Sequence, residues 1–121
     1  MLNRSTIMIV EDDVHFAEQL SDVVAVFRGR VAGHARTVGE AFTLIGERGI
    51  DAAVVNADLD DALLPELVAY LDRESHPFVL HTAAVCATPV TSMVPDRQPL
   101  RRPVDRETEL FVLLNEMSRR S

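Results

Sequence analysis

The chain has 121 residues, 47% of them hydrophobic and 26% charged, the size and make-up of one globular domain with a real core. A formal net charge of −7 argues against nucleic acid as a direct partner, because neutralising phosphates takes clustered Lys and Arg, and Arg101-Arg102 and Arg119-Arg120 are too short to reverse it. No stretch reaches the roughly 18 apolar residues of a membrane span, no signal-peptide layout opens the chain, and the single Cys86 has no internal disulfide partner, which together suit a cytoplasmic protein.

Taken in order, apolar strand-like runs alternate with helical periodicity, the pattern of βαβ units and a parallel sheet. Ile7-Met8-Ile9-Val10 is an unbroken apolar run that stops at Glu11-Asp12-Asp13. Phe16, Leu20, Val23, Val24 and Phe27 then repeat at helical spacing, with Asp12 or Asp13 placed as N-cap and Gly29 near the end. A short strand is expected over Arg30–Ala35, and a helix with Val38, Ala41, Phe42 and Ile45 on one face, closed by Gly46 and Gly49. Ala52-Ala53-Val54-Val55 is the next apolar run and stops at Asn56; a helix with Leu64, Leu67, Val68 and Leu71 as its buried stripe follows. Pro77 precedes the strand Phe78–His81, which ends at Thr82-Ala83. Pro89, Pro95 and Pro99 interrupt residues 84–99, where a short or distorted helix is expected. A brief strand over Leu100–Arg102 and a last helix capped by Asp105, with Leu110, Leu113, Leu114 and Met117 inward, complete a single (βα)5 domain over residues 1–121: an α/β, doubly wound, five-stranded parallel sheet.

In such sheets, ligands and chemistry collect beyond the carboxyl ends of the strands. Two runs ending in Glu11-Asp12 and in Asn56 would therefore surround one small pocket. A carboxylate at position 56 would make it a site for a hard cation and a phosphoryl acceptor; an amide stands there instead.

These residues resemble the response-regulator receiver domain of bacterial two-component signalling, over essentially the whole chain from Ile7 to about Met117. Ile7–Asp13 resembles the first strand and its acidic pair, and Asp51–Asn56 the third strand, with Asn56 at the phosphoacceptor position. Val79–Ala83 resembles the fourth strand with its switch hydroxyl, Thr82. Arg102-Pro103-Val104-Asp105 resembles the Lys-Pro segment that opens the last helix. The departures sit at the positions that carry the family's chemistry. Arg102 replaces the lysine, Pro99 the switch aromatic, Asp60 a usual proline and Leu64 a usual glycine. Several such losses together mark a degenerate, pseudo-receiver domain, whose fold is expected to be flavodoxin-like.

An amide oxygen is a poor nucleophile, so Asn56 cannot carry the acyl phosphate that an aspartate forms. The resemblance implies a weakened Mg²⁺ site at Glu11, Asp12 and the backbone carbonyl of Asp58, since Mg²⁺ depends on its few carboxylates. Crowded carboxylates without a cation repel one another, and Arg102 is expected to answer this by pairing with Asp12. His15, His34, His76 and His81 show no metal-ligand spacing among themselves, and no catalytic residue is assigned.

The expected function is a stand-alone, non-enzymatic signalling module that acts by contact. Its partner would be a histidine kinase, a phosphotransfer protein, another receiver or an output protein. The usual partner surface of the family (fourth helix, last strand, last helix) would here bring Val85, Val90, Met93 and Val94 together, apolar enough for a homodimer. The alternative is an active response regulator phosphorylated at an atypical residue such as Asp58 or Asp60. A flavodoxin-like cofactor binder shares the strand order, but Glu11-Asp12-Asp13 would repel a phosphate where such proteins carry a Ser/Thr/Gly-rich loop.

Overall fold

The structure is a computed structural model and describes residues 5–26, 28–84 and 86–95, with the backbone of Leu100–Arg101. Phe27, Val85, Pro99, Arg102 and the expected last helix lie outside the described residues. Five parallel strands run β1 (Thr6–Val10), β2 (Arg30–Ala35), β3 (Ala52–Asn56), β4 (Phe78–Thr82) and β5 (Leu100–Arg101), in the spatial order β2-β1-β3-β4-β5. Between them lie α1 (Val14–Val26), α2 (Val38–Arg48), α3 (Leu64–Arg73) and a single turn, α4 (Pro89–Ser92). No helix among the described residues is long and apolar enough to cross a membrane.

Local chemistry sets the element ends. The Asp13 carboxylate accepts from the Phe16 N–H and caps α1. Arg28, not Gly29, takes the left-handed conformation at its other end (φ 64°), while the Gly29 N–H reaches back to the Val24 carbonyl. Thr37 caps α2 through the Glu40 N–H, and Glu40 returns a carboxylate oxygen to the Arg36 N–H. Thr88 and Thr91 form a reciprocal cap on α4, which the prolines limit to one turn.

Side chains alternate across the sheet, so each strand feeds two cores. Ile7 and Ile9, Ala52 and Val54, and Val79 pack with Ala17, Leu20, Val23 and Val24 of α1. Met8 and Val10, Ala53 and Val55, and Phe78 and Leu80 pack on the opposite face with Val38 and Ala41 of α2 and with Leu64, Leu67, Val68 and Leu71 of α3. Among the described residues, the expected stripes of α1, α2 and α3 are thus the buried ones, with Phe16, Phe42 and Ile45 only partly covered. One expectation is corrected. Val90 and Val94 belong to this second core, 6% and 3% exposed, and do not form an apolar surface; of that set Met93 is exposed and Val85 lies outside the described residues. A single turn has too little circumference to carry both a core face and a docking face.

Candidate functional site

The alternation that builds the α1-side core continues one step past its last apolar residue on each central strand. Beyond Ile9 comes Glu11, beyond Val54 comes Asn56, and beyond Val79 comes His81. The ladder aligns them: Asn56 pairs with His81, Val10 with Val55, and the Glu11 N–H still bonds the Ala35 carbonyl of β2. Three polar side chains therefore lie in one row at the carboxyl edge of the sheet, all buried: Glu11 0%, Asn56 4% and His81 0% exposed.

A buried carboxylate needs donors, and Glu11 has them. Its Oε1 accepts from the Asn56 Nδ2 (3.2 Å) and from the Asp13 N–H (3.0 Å). Its Oε2 lies 3.3 Å from His81 Nε2. The Glu11 main-chain carbonyl lies 2.5 Å from His34 Nε2. The His81 ring rests against Phe16 of α1, centroids 4.9 Å apart. Asn56 uses both ends of its amide, for its Oδ1 accepts from the Asp58 N–H at 2.8 Å. An aspartate could make that second contact, but it has no hydrogen to give Glu11.

On the outer side of the row, Thr82 (1% exposed) donates its hydroxyl to Asp58 Oδ1 at 2.6 Å, and the Ala83 N–H donates to Asp58 Oδ2 at 2.7 Å. Asp61 ties two helix starts together. Its Oδ2 accepts from the Val38 N–H of α2 and its Oδ1 from the Leu63 N–H just before α3. These two bonds, to Val38 first and Leu63 second, hold its carboxyl below the usual 3.8 despite some opposing desolvation.

The structure thus brings together Glu11, Asn56, Asp58 and Thr82 among the expected site residues, while Asp12 is exposed and Arg102 and Pro99 lie outside the described residues. Among the described residues, the Glu11 carboxyl faces the Asn56 amide and the His81 ring. In this arrangement the Asn56 amide presents N–H rather than oxygen to Glu11, and the Asp58 carboxylate is turned to Thr82 and Ala83. Among the described residues no group of three or more His, Cys, Asp or Glu side chains converges as a metal site. Residue-by-residue reading missed His81, His34 and Asp61. Aligning the last inward residues of the three strands would have found His81, since Val79-Leu80-His81 has the same phase as Ile9-Val10-Glu11.

No protein-family model and no curated protein sequence matches the chain. Among solved structures it is similar to the signal receiver domain of an HD domain-containing protein from Pseudomonas fluorescens Pf-5, with a TM-score of 0.81 at 18% identity over 97% of this chain and 97% of that one. It is similar to a CheY-like response regulator receiver domain protein from Methanospirillum hungatei JF-1, with a TM-score of 0.79 at 18% identity over 96% and 95%. SdrG from Sphingomonas melonis Fr1 aligns with a TM-score of 0.73 at 27% identity over 94% and 99%. The described residues have the receiver fold.

Proposed function

We propose that this protein is a receiver-like signalling module of a two-component system that takes no phosphoryl group at position 56 and acts by binding another protein. The observation that carries the proposal is the double engagement of Asn56. Its amide nitrogen donates to Glu11 and its amide oxygen accepts from the Asp58 N–H, so the side chain is a connector between β1 and the loop after β3. An amide in that role is neither a nucleophile nor a metal ligand, and its N–H satisfies the buried Glu11 without a cation. The domain is then a non-enzymatic, degenerate receiver, with at most weak affinity for Mg²⁺. The likeness to receiver domains supports a protein partner from the same class of pathway, such as a histidine kinase, a phosphotransfer protein or another receiver.

Acetyl phosphate with Mg²⁺, followed by intact mass, is the direct test. The expected result is unmodified protein. A stoichiometric adduct of one phosphoryl group, mapped to Asn56, Asp58 or Asp60, would overturn the proposal in favour of an active regulator with an atypical acceptor.

A further inference from the structure

An asparagine followed by a small residue is open to deamidation. The next main-chain nitrogen, after losing its proton to hydroxide, attacks the side-chain Cγ. The N–Cγ bond forms, the Cγ–Nδ2 bond breaks, and the amide nitrogen leaves as ammonia, taking its proton from water. Water then opens the succinimide ring to aspartate or isoaspartate. At position 56 the next residue is Ala57, whose methyl group shields the attacking nitrogen little. Left to the local sequence, the amide that defines this site would turn into a carboxylate with time.

The fold opposes each step. Asn56 is the last residue of β3, a strand flanked by β1 and β4. A five-membered ring needs the Ala57 nitrogen nearly eclipsed with the Asn56 Cβ, and extended backbone holds the two far from that alignment. The Ala57 N–H donates to the His81 carbonyl at 2.8 Å, so the proton that must be lost is bonded inside the sheet. At 4% exposure, Asn56 is closed to the hydroxide and water that the reaction consumes. We propose that Asn56 is a deamidation site that the sheet holds shut, so that the amide converts only in molecules in which the end of β3 has opened. Position 56 then stays uncharged for as long as the strand stays paired, and a carboxylate there marks a chain that has been open. This goes beyond the signalling reading, and the two fail separately: acetyl phosphate on fresh protein reports acceptance of a phosphoryl group, whereas ageing without a phosphodonor reports loss of the amide.

The test is ageing of the full wild-type chain in mildly alkaline buffer, folded and in concentrated urea, beside a synthetic peptide of residues 54–59. Peptide mapping that separates asparagine, aspartate and isoaspartate at position 56 gives the rates. The peptide and the urea-unfolded chain should convert at similar rates, and the folded chain at least roughly 100-fold more slowly, because only the rare open molecules react. Conversion of the folded chain within about ten-fold of the unfolded rate would overturn the proposal. So would an unfolded chain and a peptide that keep the amide as long as the folded chain does, since the protection would then lie in the local sequence and not in the sheet.

Discussion

At the scale of single residues, the difference between an amide and a carboxylate at position 56 decides the site. Glu11 is fully buried, and the Asn56 N–H lies 3.2 Å from one of its oxygens. Asn56→Asp would replace that donor by a second carboxylate in a low-dielectric setting, where like charges repel and raise each other's pKa. Without divalent cations the variant should lose about 1–3 kcal/mol in denaturant melts, the usual cost of unsatisfied buried polar groups. Mg²⁺ should recover part of that loss in the variant and change wild type little, which titration calorimetry on both proteins would register. Equal Mg²⁺ affinities would show that position 56 takes no part in a metal site. The row Glu11–Asn56–His81 also shows what a residue list hides. His81 has no sequence neighbour with which to form a motif, and its role comes from standing beside Asn56 in the ladder.

At the scale of elements, helices were the most legible part of the chain, because a core-facing helix must repeat apolar residues near every 3.6 positions. Leu64, Leu67, Val68 and Leu71 of α3 are all buried, as their spacing demands. Leu67→Ala, at a fully buried position, should cost about 2–5 kcal/mol in equilibrium unfolding. Element ends were harder to read. Gly29 is the obvious place to end α1, yet Arg28 adopts the positive φ, and nothing in the composition distinguishes the two. Asp61 was also unreadable, since its partners are the starts of α2 and α3, 23 and 2 residues away. Asp61→Ala should lower the melting temperature at neutral pH by removing acceptors from two helix N-termini. The folded carboxyl titrates below 3.8, so its contribution is complete above the unfolded value and fades as pH falls through the folded one. The difference in melting temperature between wild type and Asp61→Ala should be constant above about pH 5 and shrink towards pH 2. A difference that grows on acidification would contradict this role.

At the scale of the whole molecule, the parallel sheet places every strand's carboxyl end on one edge, so a site can form there from residues far apart in sequence. Net charge acts at the same scale. With −7 overall, the protein should not retard duplex DNA at physiological salt in a gel-shift assay, and retardation that weakens with added salt would show a basic footprint that the totals conceal. Partner choice belongs here too. With Val90 and Val94 turned into the core, the segment around α4 offers Met93, just past the end of the helix, as its exposed large hydrophobic residue among the described ones, so a contact on that face cannot rest on the apolar set read from the sequence.

What the sequence determined by itself was whatever follows from local periodicity and covalent limits: the alternation of strands and helices, the buried stripes, the proline-shortened α4, and an amide rather than a carboxylate at position 56. Position 56 is legible because amide or carboxylate is a property of one side chain. What only the tertiary structure decided were the contacts between strands. That Asn56 donates to Glu11, that His81 approaches the same carboxylate, and that Asp58 takes both donors at the end of β4 each require two segments brought into register. Hydrogen bonds act over about 3 Å and depend on direction. Register and side-chain orientation therefore select the partners, and neither can be read from a chain laid out in line.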